Sequence, residues 1–225
     1  MGTDLQNVDA LIFDMDGTLW NATESYAKIW NETCACFGMK THFVGSDLLQ
    51  YMGMGIEEIV GHLLGDNTPA DMPQFMTVLY HLEDKLMPTL GGVLFPGVKE
   101  GLERLSKRYR LFMLSNCSKR GLVNFTTFTG TTHLFEGLLS QGERPASKNE
   151  NLRHLIDSYS LAGPVYVGDT QGDCDQAHLA GVPFFFAAYG FGQCADADWQ
   201  ASSFDEMVEI LMASPVYTKK TEKEI

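Results

Sequence analysis

The stretch VDALIFDMDGTLW, Val8 to Trp20, decides how the rest of the chain is read. Val8 to Phe13 is short and apolar, the pattern of a strand buried on both faces of a parallel sheet. It runs directly into two aspartates, Asp14 and Asp16, separated by one methionine and followed by Gly17-Thr18. At neutral pH two such carboxylates repel each other, and burial raises the cost. Core packing gives no reason for the pair, so the reason lies in chemistry at the strand's end.

Downstream, the texture changes from Asn21 to about Leu90. Asn21-x-x-Glu24 has the form of a capping box, and Tyr26, Ile29, Trp30, Thr33 and Phe37 recur at helical spacing up to Gly38. Ile56 to Leu64 predicts a second helix ending at Gly65. A third follows Pro69 and Asp71, with Phe75, Val78, Leu79, Leu82 and Leu86 expected inward. No strand pattern interrupts this block, which ends at Gly91-Gly92. It reads as a helical insertion.

Alternation of strand and helix then resumes. Strands are expected at RLFMLSN, GLLS, PVYVGD and PFFFAA. Helices are expected after Pro96, near Lys119 to Phe128, over SKNENLRHLIDSY, over DCDQAHLAG and near Phe204 to Met212. This order predicts an α/β fold, a Rossmann-like parallel sheet with helices on both faces and a small inserted helical cap. The core would comprise residues 1–20 and 91–225, and the cap residues 21–90. The Lys-rich end, TKKTEKEI, reads as a solvated tail.

Composition narrows the function. Over 225 residues the chain has 16 Lys+Arg against 29 Asp+Glu, a net charge of −13. A surface so acidic argues against nucleic acid and anionic membranes as partners. An anionic substrate must then meet a local positive element. The five cysteines, Cys34, Cys36, Cys117, Cys174 and Cys194, are odd in number and have no Cys-x-x-Cys spacing. With no apolar signal core at the N-terminus, they fit reduced thiols in a cytoplasmic protein. No apolar run reaches membrane-spanning length, and the sequons at Asn21, Asn31 and Asn124 read as chance. None of the six histidines has ligand spacing, and Cys117 and Cys174 read as small buried apolar residues.

In an open parallel sheet, ligands collect beyond the carboxyl ends of the strands. Polar groups gather at that edge here: Asp14 and Asp16, Ser115-Asn116, and Asp169 with Asp173, while Lys148 opens a helix between the last two. Carboxylates facing one space favour a hard divalent cation with oxygen ligands, such as Mg²⁺. Gly17 and Thr18 are expected to wrap backbone amides round an oxyanion, a serine hydroxyl to bind another oxygen, and a lysine to carry uncancelled charge. Together these suit phosphoryl transfer, in which one carboxylate attacks phosphorus and a second protonates the leaving oxygen.

DMDGTL, LSN, ASK and VGDTQGD, in that order, resemble the four motifs of the haloacid dehalogenase superfamily. The helical block after the first motif is similar to the cap of its phosphoglycolate phosphatase and β-phosphoglucomutase branch. FPGV and HLAGVP add to the likeness, which covers essentially the whole chain. The resemblance implies that Asp14 is the nucleophile and Asp16 the general acid/base, with the Asp16 backbone carbonyl on Mg²⁺. It implies that Ser115 and the amide of Asn116 bind phosphate, that Lys148 bridges phosphate and nucleophile, and that Asp169 and Asp173 serve the metal. Dehalogenases of the superfamily lack the second aspartate, so Asp16 argues against dehalogenation.

The insertion carries Lys28, Lys40 and Lys85, no Arg, and nine acids. A phosphomutase holds a second phosphate through its cap, usually by a bidentate Arg. Hydrolysis of a small phosphate monoester is therefore expected: a sugar phosphate, a phosphoglycolate-like acid or a nucleoside monophosphate. A phosphomutase and a non-catalytic phosphate-binding module are the alternatives. Ser118 and Lys119 are candidates for contact with the leaving group, and YMGMG (51–55) for a hinge or a substrate loop. Oligomeric state is left open by the sequence.

Overall fold

The computed structural model describes Leu5 and residues 7–214, so the Lys-rich end lies outside the described residues. Strand β1 (Ala10–Phe13) is wholly buried and is followed by the short β2 (Trp20–Asn21). Helices α1 (Thr23–Cys36), α2 (Gly45–Leu48), α3 (Ile56–Leu64) and α4 (Met72–Leu90) come next. After β3 (Val93–Leu94) the chain alternates through α5 (Val98–Leu105), β4 (Arg110–Ser115), α6 (Gly121–Thr129) and β5 (Gly137–Ser140). It continues with α7 (Lys148–Tyr159), β6 (Pro164–Gly168), α8 (Gln171–Ala180) and β7 (Phe184–Ala187). The last two elements are β8 (Trp199–Ala201) and α9 (Phe204–Ala213).

Six strands form one sheet in the order β5-β4-β1-β6-β7-β8. Every pairing in it is parallel. Successive side chains point to opposite faces. Leu11, Phe13, Met113 and Val167 pack with α5 and α9 on one side, and Ile12, Phe112, Leu114 and Tyr166 with α7 and α8 on the other. Both faces are therefore covered, as an all-parallel sheet requires. The expected strands and helices of this layer are present; β8, three residues long and half-exposed, carried too little pattern to be foreseen.

The helical block is attached by two strands side by side. β2 and β3 pair antiparallel, Trp20 with Leu94 and Asn21 with Val93. The Trp20 ring meets Phe125 edge-on at 4.9 Å, which anchors this crossing on α6. Gly91 caps α4 with φ +58°, and a Cβ there would fall 2.1 Å from the Phe128 ring. Within the block α1 buries Tyr26, Ile29, Trp30 and Thr33, and Phe37 packs on Phe75 of α4 at 5.2 Å.

Two local expectations are corrected. The capping box at Asn21 and Glu24 does not form. Pairing with β3 holds Asn21 in the ribbon, so its Oδ1 accepts from the Thr23 amide (3.0 Å) and hydroxyl (2.8 Å), while Glu24 accepts from the Gly45 amide at 3.2 Å. On α4 the inner face is Phe75, Met76, Leu79, Glu83 and Met87, with Val78, Leu82 and Leu86 only half-buried. The reading by hydrophobicity alone turned the helix away from a carboxyl group that faces inward. Among the described residues no helix is long and apolar enough to cross a membrane.

Candidate active site

Strands β4, β1 and β6 are neighbours, so the residues that follow them share one edge. The Asp14 amide donates to the Val167 carbonyl at 2.8 Å, extending the β1–β6 pairing one residue and fixing the Asp14 side chain over the sheet end. Asp169 follows the last residue of β6. Asp173 lies in the first turn of α8, where its Oδ2 accepts from the Thr170 amide (3.2 Å) and hydroxyl (2.7 Å). This capping fixes Asp173 and leaves Oδ1 for other partners. Carboxylate oxygens of Asp14, Asp169 and Asp173 all lie within 4.8 Å of one another, and all three residues are buried.

Lys148 is brought in by α7, whose first turn is closed by Ser147 and Glu150. Its ammonium is 2.6 Å from Asp173 Oδ1 and 3.3 Å from Asp14 Oδ1, and 5.5 Å from the centre of the Tyr166 ring. The Tyr166 hydroxyl donates to the Leu114 carbonyl at 3.1 Å. Asp169 Oδ2 accepts from the Phe191 amide at 2.8 Å. Ser115, buried at the end of β4, stands beside Asp14. Asn116 uses its side-chain amide to reach the Gly53 carbonyl at 2.8 Å, tying the sheet edge to the YMGMG loop.

Gly17 and Thr18 do not form the expected amide cradle. The Gly17 amide donates to the Trp20 carbonyl (2.9 Å) and the Thr18 amide to Met15 (3.3 Å), so both already stabilise the turn itself. Gly17 is required for another reason. Its φ is +82°, and a Cβ would lie 2.1 Å from Asp169 Oδ2. The Thr18 hydroxyl donates to Asp169 Oδ1 at 3.4 Å. The two residues thus position Asp169.

Asp16 is not one of the three converging carboxylates. Its Oδ2 accepts from the Tyr26 hydroxyl at 3.3 Å, and its Oδ1 is buried without a partner. It lines a cavity of about 50 Å³ between the sheet edge and the helical block, walled by Tyr26, Trp30, Leu48, Met52, Ile59 and Leu79. Glu83 opens into the same cavity. Hydrophobicity hid it; the signal was an acid within the i, i+4 ladder Phe75, Leu79, Glu83, Met87.

Burial governs the electrostatics. It pushes Asp14 up to about 6; Lys148 and the Ser115 hydroxyl oppose the rise, and Asp173 adds to it. Burial, then the Asp14 charge, holds Asp16 well above the usual carboxylate range. Burial and the Asp173 charge push Asp169 up to about 8. Burial would lower the Lys148 ammonium, but Asp14 and Asp173 outweigh it and hold it well above its ordinary value. The site therefore sets Asp14 beside a second carboxyl group, Asp16, whose neutral form is favoured by burial and by the Asp14 charge. Three buried carboxyl groups against one ammonium form an oxygen-only set short of positive charge, which suits a hard divalent cation.

The sequence matches the haloacid dehalogenase-like hydrolase family over residues 11–187. It is 28% identical over 214 residues to a plasmid-encoded phosphoglycolate phosphatase of Cupriavidus necator, covering 92% of this chain and 91% of that protein. It is also 28% identical to a phosphoglycolate phosphatase of Haemophilus influenzae, covering 88% and 96%. A crystal structure described as a predicted phosphoglycolate phosphatase from Haemophilus somnus superposes with a TM-score of 0.79 at 22% identity, covering 91% of this chain and 98% of that one.

Proposed function

The chain belongs to the haloacid dehalogenase-like hydrolases, and from that membership we propose that it is a Mg²⁺-dependent phosphatase of small phosphate monoesters. The observation that carries this reading is the meeting of Asp14, Asp169, Asp173 and Lys148 at one buried sheet edge. The names of the relatives support the same activity. Residues 1–20 and 91–225 serve as the core that holds the reacting phosphate, and residues 21–90 as a cap over the leaving group. Five free cysteines fit a reducing, cytoplasmic setting.

Asp14, Asp169, Asp173 and the backbone carbonyl of Asp16 would hold Mg²⁺. When bound, the ion neutralises phosphate charge and lowers the pKa values of the carboxylates around it. Lys148 supplies the remaining positive charge, and Ser115 with the Asn116 amide orients the phosphoryl oxygens. Asp14 attacks phosphorus; an O–P bond forms to its carboxylate as the bond to the leaving oxygen breaks. Asp16, whose neutral form burial favours, gives its proton to that oxygen. Asp16, now a carboxylate, takes a proton from water as the water oxygen attacks phosphorus, which frees Asp14 and releases phosphate.

The cavity wall offers no second phosphate a cationic side chain among the described residues, which favours hydrolysis over phosphomutase chemistry. Phosphate release from small monoesters such as 2-hydroxyethyl phosphate, with Mg²⁺ present, tests the reading. Turnover is expected in the wild type and a loss of at least about 10³-fold in Asp14→Asn. A wild type as inert as the variant would refute it.

A further inference from the structure

The cavity over Asp16 is apolar and acidic at once, which limits what can fill it. Trp30, Leu48, Ile59 and Leu79 are buried in its wall, with Met52 and Met54 from the loop. No lysine, arginine or histidine lines it among the described residues. Glu83 is 5% exposed, and its Oε2 has no hydrogen-bond partner; the Oδ1 of Asp16 is in the same state. Buried carboxyl oxygens without donors are costly, and no positive charge in this recess offsets them. The Ser118 hydroxyl, also buried without a partner, adjoins Glu83. Lys119 and Arg120 do not compensate. Both are exposed and line a separate outer groove with Glu57, Glu58 and Asp84.

A carboxylate on the leaving group would meet Glu83 with no cation to offset it. An ammonium group would meet a carboxylate, a hydroxyl and the aromatic rings of Tyr26 and Trp30. The volume of about 50 Å³, on the order of a few waters, restricts the leaving group to a few heavy atoms.

We propose that Glu83 determines specificity and that the substrate is a short aminoalkyl phosphate, a monoester whose leaving alcohol carries a primary ammonium that pairs with Glu83. This rests on the phosphatase reading above. The phosphoryl group occupies the Asp14 edge, Asp16 protonates the ester oxygen, and the alkyl chain crosses the apolar wall to place nitrogen at Glu83. The ammonium supplies the donors that the Glu83 carboxylate lacks.

The test compares kcat/KM for 2-aminoethyl phosphate, 2-hydroxyethyl phosphate and 2-phosphoglycolate in the wild type and Glu83→Gln. The wild type is expected to favour the ammonium ester over the carboxylate ester by tenfold or more, and Glu83→Gln to cut that ratio at least tenfold. A smaller preference, a smaller fall, or a hydroxyl ester preferred over the ammonium ester overturns the assignment. Calorimetric binding to Asp14→Asn with Mg²⁺ reads the recess without turnover. The ammonium ester should bind at least tenfold more tightly than 2-phosphoglycolate, and the reverse order overturns the assignment. Failure of the wild type to release phosphate from any of the three esters would refute the phosphatase reading instead, and the binding order would still decide the role of Glu83.

Discussion

Lys148 and Asp173 form an ion pair at 2.6 Å with both side chains almost fully buried, exposed by only 3% and 2%. Lys148 also lies 3.3 Å from Asp14, so one ammonium serves two carboxylates, 134 and 25 residues away in the chain, that the end of β1 and the start of α8 bring to it. Removing one partner of such a buried pair leaves charge uncompensated and costs about 3–5 kcal/mol. Lys148→Met is expected to lose that stability at pH 8 and about 10²–10³-fold in kcat/KM. The loss has a sign in pH. Without Lys148 the carboxyl group of Asp14 rises further above its ordinary value, and a group raised in the folded state contributes stability at low pH that is lost as pH rises. Chemical denaturation should show a smaller deficit at pH 5 than at pH 8; equal deficits would contradict the pairing.

Asp169 predicts the response to metal. Its carboxyl is pushed from an ordinary 3.8 up to about 8, so without a cation the fold loses stability as pH rises through that window. Mg²⁺ should reverse the loss. At one hundred times its dissociation constant a ligand adds about 2.7 kcal/mol, roughly 5–10 °C in Tm for a chain of this size. Thermal denaturation at pH 7.5 is expected to show this shift in the wild type and little of it in Asp169→Asn. A wild type indifferent to millimolar Mg²⁺ would argue against the metal.

Gly17 predicts how tightly that site is built. Its positive φ and the 2.1 Å approach of a built Cβ to Asp169 Oδ2 mean that Gly17→Ala must displace the carboxylate or the turn. Displacing a group that positions a ligand typically costs 10–100-fold in metal affinity. A Mg²⁺ titration followed by calorimetry should show that weakening, and unchanged affinity would mean that the turn yields instead.

These outcomes bear on what was legible beforehand. Asp14, Ser115 and Asp169 could be placed together because each ends an apolar run, and parallel strands deliver their C-termini to one edge. Lys148 was legible from its place at the start of a helix. The roles of Gly17 and Thr18 were not, since a sequence does not tell whether a turn's amides face a ligand or close the turn on Trp20 and Met15. Glu83 was hidden by the rule that apolar residues face inward. That rule holds for a face that packs on protein and fails for one that borders a cavity, where Leu82 and Leu86 turn half outward and the acid is enclosed.

Glu83 offers a last prediction, which separates stability from function. Burial pushes its carboxyl from an ordinary 4.5 up to about 7. The folded state then holds a proton that the unfolded chain releases between those values, so its stability is greatest below pH 4.5 and declines as pH rises to 7 and beyond. The full difference corresponds to about 3 kcal/mol. Glu83→Gln keeps the shape and removes the ionisation. It is expected to be more stable than wild type at pH 8, by about 1–3 kcal/mol, and equal to it near pH 4.5, as measured by denaturant unfolding across that range. A variant less stable than wild type at pH 8 would mean that the carboxylate already has a partner within the fold. A stabilised variant with a lost ammonium preference would mark Glu83 as a residue whose buried charge weakens the fold in favour of its ligand.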